Sequence, residues 1–205
     1  MAYLEEKDRC FYLVDYIARG GLGPTGNQFV ANFKKDLKYK DKPEVWQYRV
    51  CAVKKFAECI HNFIQNRKMV KPVIIPLPTS KPRSSTNFND RLDATIRQLE
   101  IINPDYDTRF CLDRLSEQAP VSCGGARDID SIIQTSYIVD EKPIASDSQV
   151  ILIDDVLTTG AHFKAYKRMV MEHYKIGSDN IIGLFIAKTS AMEIEEIGLD
   201  ELPKS

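Results

Sequence analysis

The sequence predicts an α/β fold, a central, mainly parallel sheet flanked by helices with a small N-terminal hood. Three observations point there. Short, nearly continuous apolar runs at Val73–Pro78, Val150–Ile153 and Asn180–Ala187 have the pattern of strands buried on both faces, as in a parallel sheet covered by helices. Helical periodicity separates these runs, so strands and helices alternate along the chain. At 205 residues the chain is long enough for one well-filled core and too short to favour two, so residues 1–205 read as a single domain.

Taken in order, CFYLVDYIA (Cys10–Ala18) is apolar, aromatic and stopped by Gly20-Gly21, a strand or short buried segment. Gly21, Gly23 and Gly26 match G-x-G-x-x-G. The dinucleotide fingerprint must close a strand, open a helix and sit in a βαβ unit with an acid downstream. Pro24 stiffens the loop and a lysine-rich connector follows, so a turn is expected, within a hood spanning residues 1–40. Pro43–Asn66 is the longest helical pattern: Trp46, Val50, Val53, Ala57, Ile60 and Ile64 recur at spacings of three and four, and Asp41 is placed to cap its start. Val73–Pro78 is a strand ended by prolines, Asn89–Ile102 a helix and Thr108–Leu112 a strand. Ser116–Arg127 holds Gly, Ser and Pro without periodicity and reads as a mobile loop, followed by a short strand at Ser136–Val139. A helix over Ala161–Lys175 follows the strand at Val150, with Phe163, Tyr166, Val170 and Tyr174 on one face and Gly177 placed to stop it. Asn180–Ala187 is the last strand, and residues 189–205 form an acidic, peripheral tail.

Composition excludes several classes. With 43% hydrophobic and 28% charged residues the chain is ordinary for a soluble globular protein. No apolar stretch approaches the roughly 20 residues of a membrane helix. The start, MAYLEEKDRC, is acidic and mixed, unlike a secretory signal, so cytoplasm is the expected compartment. Cys10, Cys51, Cys59, Cys111 and Cys123 form no C-x-x-C pair, which argues against a structural zinc site or a disulfide framework. Charge is uneven: residues 1–72 carry 14 Lys/Arg against 8 Asp/Glu, the remainder 14 against 21. Lys34, Lys35, Lys38, Lys40 and Lys42 crowd one stretch; a solvated surface is the plainer reading and a nucleic-acid contact the sharper one.

Val150–His162 (VILIDDVLTTGAH) carries most of the chemistry. Asp154 and Asp155 emerge at the carboxyl end of a buried strand, where open α/β sheets bind ligands. Thr158, Thr159 and Gly160 follow, where a phosphate could meet hydroxyls, backbone N–H groups and a helix N-terminus. Carboxylates suited to sugar hydroxyls or a metal, beside a phosphate cradle, suggest a sugar-phosphate site. A Walker B reading fails because the chain has no G-x-x-x-x-G-K-[ST] loop. A receiver-type acidic pocket gathers its acids from separate strands. A plain strand end with solvated acids accounts for single residues and not for the constellation.

VILIDDVLTTGAH closely resembles the phosphoribosyl-pyrophosphate (PRPP) binding motif of the type I phosphoribosyltransferases, with His162 the departure where that family carries a small hydroxyl residue. VIIPLPTSKPRSSTNFNDRL (Val73–Leu92), LKYKDKPEVWQY and the spacing from Arg114 through Arg127 to Tyr137 are similar to the ComF-like, competence-associated branch, here without its zinc ribbon. The resemblance covers most of residues 30–190 and is strongest at 150–162.

It implies transfer of a phosphoribosyl group from PRPP to a nitrogen acceptor, releasing pyrophosphate, with Mg²⁺ as cofactor. Asp154 and Asp155 would engage the ribose hydroxyls, directly or through Mg²⁺ and water. Leu157, Thr158, Thr159, Gly160 and Ala161 would hold the 5′-phosphate; Ser80, Lys81, Arg83 and Arg91 would lie near the pyrophosphate. Residues Ser116–Arg127 would close over the reacting centre, and a homodimer would be in keeping with the family. Two alternatives remain: a PRPP-sensing protein that kept the cradle and lost turnover, and a competence-type nucleic-acid handler using Lys34–Lys42.

Overall fold

The computed structural model describes residues 3–17, 21–23, 25–116 and 128–189. Five parallel strands form one sheet: β1 (Cys10–Tyr16), β2 (Val73–Pro76), β3 (Asp107–Thr108), β6 (Val150–Leu157) and β7 (Ile181–Thr189), in the spatial order β1-β7-β6-β2-β3. A short antiparallel pair, β4 (Leu112–Arg114) with β5 (Ser136–Ile138), lies beside it.

Helices cover both faces, as the apolar strands require. Period-two alternation sends Ile74, Ile151 and Ile153 to one face, against α1 (Thr25–Phe33), α2 (Pro43–Asn66) and α3 (Arg91–Ile102). Val73, Ile75, Val150 and Leu152 point the other way, against α4 (Ile129–Gln134) and α5 (Ala161–Tyr174). The result is three layers with two cores, one on each side of the sheet.

This arrangement places the site. Strands β2 and β6 are neighbours, yet β2 leads into α3 on one face and β6 into α5 on the other. The chain therefore parts between them at their carboxyl ends, the topological switch point where open α/β sheets leave a crevice.

Several sequence expectations change in detail. Cys10–Tyr16 lies in the hood segment but pairs with β7, so it belongs to the central sheet. The stretch read as a lysine-rich connector contains α1, with Gly26 in its first turn. The glycine motif thus does close a strand and open a helix, but β1 is an edge strand and the next strand in sequence, β2, is not its neighbour. Helix α2 has the expected bounds, but Lys42 rather than Asp41 is its cap residue, and Pro43 at the first position needs no N–H partner. Its stripe holds from Val53 to Ile64; at its start Val50 is exposed and Arg49 is buried instead. The expected strand Thr108–Leu112 is divided into β3 and β4. Helix α5 ends at Lys175 in the left-handed region (φ 58°), one turn-half before Gly177. Residues 117–127 of the expected mobile loop, the tail from 190 and Cys123 lie outside the described residues. The other four cysteines are free thiols; burial pushes the Cys10 thiol up to about 12 and raises that of Cys111.

Candidate functional site

Asp154 and Asp155 lie within the carboxyl half of β6 rather than beyond its end, because the strand runs on to Leu157, which pairs with Lys188 of β7; strand alternation turns the two carboxylates to opposite faces. Both are buried. Asp154 faces α5: one of its carboxylate oxygens is 2.7 Å from Nδ1 of His162, and the other accepts the Asp155 N–H at 2.8 Å. His162 in turn has Nε2 3.0 Å from an Arg114 nitrogen. A guanidinium only donates, so Nε2 accepts and Nδ1 carries the proton given to Asp154. Arg114, nearly without exposed surface, also donates from Nε to the Thr79 carbonyl at 2.7 Å. One chain of contacts thus links the loop after β2 to the Asp154 carboxylate of β6.

Asp155 faces the other layer. Arg91, the first residue of α3, donates to one of its oxygens from Nε at 2.8 Å and from Nη2 at 2.6 Å. Lys34 Nζ approaches the other oxygen at 2.9 Å. Burial alone would raise this carboxyl, but the two cations outweigh it and hold it well below the usual carboxylate range.

The phosphate-type loop follows. Thr158 and Thr159 are exposed, while Gly160 and Ala161 are buried at the start of α5. Gly160 has φ 82°, which an L side chain resists, and a Cβ there would stand 2.5 Å from the Leu4 side chain. The loop therefore turns tightly into a helix whose first N–H groups have no intrahelical acceptor, an arrangement suited to an anion. It also carries a cover: Tyr3 donates its N–H to the Thr159 carbonyl at 2.7 Å. That N-terminal segment is anchored by Asp8, whose fully buried side chain lies 2.8 Å from Lys164 and 2.9 Å from Lys167 of α5.

The residues assigned to pyrophosphate separate. Ser80 is exposed in the turn after β2, and Lys81 lines a cavity with Lys34 and Lys38. Arg83 is committed elsewhere: it pairs with Asp93 at 2.9 and 3.2 Å and donates to the Leu112 carbonyl. It clamps the loop to α3 and β4. Arg91 is the partner of Asp155. Sequence reasoning thus missed the pairing of Lys34 and Arg91 with Asp155, the His162 to Arg114 link and the Asp8 anchor. Only His162 left a local sign, as an odd residue in the motif; the others depend on contacts between distant segments.

As direct magnesium ligands the two aspartates do not fit this arrangement. They diverge to opposite faces, and Asp155 already faces two cations. Of the two other histidines, His61 has Nδ1 2.8 Å from the Tyr106 hydroxyl, and His173 lies 3.4 Å from Glu141. Among the described residues no helix is long and apolar enough to cross a membrane. No family model and no curated protein matches the chain.

Proposed function

We propose that this chain binds PRPP in the crevice between β2 and β6 and transfers its phosphoribosyl group to a nitrogen acceptor, releasing pyrophosphate. The single observation that carries the reading is the position of VILIDDVLTTGAH at the switch point, with the Thr158–Gly160 turn opening α5 beyond the two carboxylates of β6. The 5′-phosphate would lie on that turn, held by the Thr158 and Thr159 hydroxyls and the first N–H groups of α5. The ribose would then extend toward Asp154 and Asp155.

In the reaction the acceptor nitrogen forms a bond to C1 as the bond from C1 to the pyrophosphate oxygen breaks, with inversion, and the nitrogen's proton passes to solvent. Positive charge grows on the sugar and negative charge on the leaving group. The carboxylates stabilise the first, with His162 fixing Asp154; Lys81, beside the leaving group, stabilises the second. Mg²⁺ would arrive on the donor's phosphate oxygens, the usual manner of binding for that ion, and supply further charge neutralisation. No protein nucleophile is needed.

A second reading, a PRPP-binding regulator without turnover, is favoured by two observations: Asp155 is closed by Arg91 and Lys34, and Tyr3–Leu4 lies on the phosphate turn. The nucleic-acid reading finds less support, because Lys35 stacks on Tyr48 while Lys34 and Lys38 line a recess. The test is pyrophosphate release from PRPP and Mg²⁺ across a panel of free bases. Release with one acceptor supports the transferase; Mg²⁺-dependent binding of PRPP with no release for any acceptor supports the regulator. No PRPP binding at all would remove both.

A further inference from the structure

Residues 3–8 form a strap along the first turns of α5, fastened at both ends. At one end the Glu5 N–H donates to the Asp8 carboxylate at 3.0 Å and the Asp8 N–H to the Glu5 carbonyl at 2.8 Å. These bonds close a turn around the buried Asp8 side chain and its ion pairs with Lys164 and Lys167. At the other end Tyr3 and Leu4 pack against the core on the α5 side of the sheet. There the Tyr3 N–H bonds the Thr159 carbonyl at 2.7 Å, and Leu4 fills the space that a Cβ on Gly160 would need.

That bond orients a whole peptide unit. A trans peptide is planar and points its C=O and N–H in opposite directions. Holding the Thr159 carbonyl toward Tyr3 therefore aims the Gly160 N–H away from the strap. Gly160 is buried, and among the described residues no acceptor meets this N–H. A buried N–H without a partner is rare, and it suits a ligand oxygen. The groups on either side are settled: the Gly160 carbonyl accepts the Lys164 N–H at 2.9 Å, and the Thr159 hydroxyl accepts the Ala161 N–H at 3.4 Å. The peptide between Thr159 and Gly160 is the one that local sterics leave undecided, because glycine takes either sign of φ at little cost. Flipped over, it would present a carbonyl to an anion in place of an N–H.

We infer that Tyr3 and Leu4 are positioning residues for the turn at Thr159–Gly160: their contacts select the peptide orientation in which Gly160 offers its N–H, on the side away from the strap, to a phosphate monoester. The inference rests on the phosphate reading of that turn and adds what sets its affinity. The coupling runs both ways. A phosphate oxygen on the Gly160 N–H polarises the peptide and makes the Thr159 carbonyl a better acceptor for Tyr3. The strap is thus a support for binding and not a lid. The two roles have opposite signatures: detaching a lid tightens binding, whereas detaching a support weakens it.

Nuclear magnetic resonance of the isotope-labelled full chain tests this by following the Gly160 amide during titration with ribose 5-phosphate. In the wild type its proton signal should move downfield and saturate. Tyr3→Pro, which has no N–H to give, should weaken binding roughly fivefold, the worth of about one hydrogen bond, and shrink that movement. Tyr3→Phe keeps the N–H and should restore both. Leu4→Ala, which covers the case of a Tyr3→Pro chain that does not fold, should weaken binding to a smaller extent. A strap with only a structural role would lower the thermal midpoint of these variants and leave the Gly160 response unchanged, which overturns the inference. Binding as tight as the wild type's, or tighter, in Tyr3→Pro or Leu4→Ala would overturn it too. If the wild type binds no ribose 5-phosphate, the phosphate reading falls and the strap is judged on the free chain. There a Gly160 amide with the same shift and exchange rate in wild type and Tyr3→Pro overturns the positioning role, and a changed one upholds it.

Discussion

Asp155 is a buried carboxylate whose state is set by two cations, and its chemistry follows from them. Its folded-state carboxyl lies below the unfolded value, so the associated stabilisation is complete above the ordinary carboxylate range, roughly pH 4, and is lost as pH falls through the lowered value. Asp155→Asn should then cost about 3 kcal/mol at neutral pH, since it strands Arg91 and Lys34. Denaturant melts of both proteins from pH 7 down to pH 3 check this: the gap should hold down to about pH 4 and begin to narrow below it, and a gap that widens there would contradict the ion-pair account. Asp154 depends on a neutral donor instead. His162→Ala should cost about 1–3 kcal/mol by leaving Asp154 and Arg114 without their shared partner, read as a shift in urea midpoint. Both carboxylates were legible as a pair from the sequence. Their opposite directions follow from strand alternation, but their partners do not, because Lys34, Arg91 and Arg114 come from other segments.

Among elements, β6, its turn and α5 form the unit that presents the site, and their packing depends on what β7 lacks. A Cβ on Gly183 would stand 2.6 Å from the Phe185 ring and 2.9 Å from the Phe163 ring, so this glycine lets α5 lie close against the sheet. Gly183→Val should cost about 1–3 kcal/mol by overpacking, visible as a lower thermal midpoint, while Gly177→Ala, whose Cβ would meet only the Asn180 side chain at 3.9 Å, should cost far less. Long, strongly patterned elements were readable: α2 runs over the expected Pro43–Asn66, and Phe163, Tyr166, Val170 and Tyr174 are all buried on α5. Short ones were not. Helices α1, with 9 residues, and α4, with 6, are too short for their pattern to stand out in the sequence, and they form against surfaces that other segments supply. The Arg109 N–H bonds the Ile74 carbonyl, after which the chain turns away from the sheet, and this divides one expected strand into β3 and β4.

At the scale of the molecule, the first residues are fastened to a helix more than a hundred and fifty positions away. The Asp8 side chain has no exposed surface and neutralises Lys167, itself buried, together with Lys164. Its carboxyl is lowered despite burial, by Lys164, the Glu5 N–H and Lys167. Asp8→Ala should therefore destabilise by about 3 kcal/mol, a surprising cost for so early a position, and chemical denaturation measures it. By itself the sequence determined the layered parallel sheet, the strand that carries the acids and the turn that follows them, because buried strands and amphipathic helices declare themselves through local periodicity. Tertiary structure alone decided which cation meets which carboxylate, which lysines share a hollow and what lies over Gly160. Those contacts join residues far apart in the chain, and no local pattern records a pairing that exists only once the layers have closed.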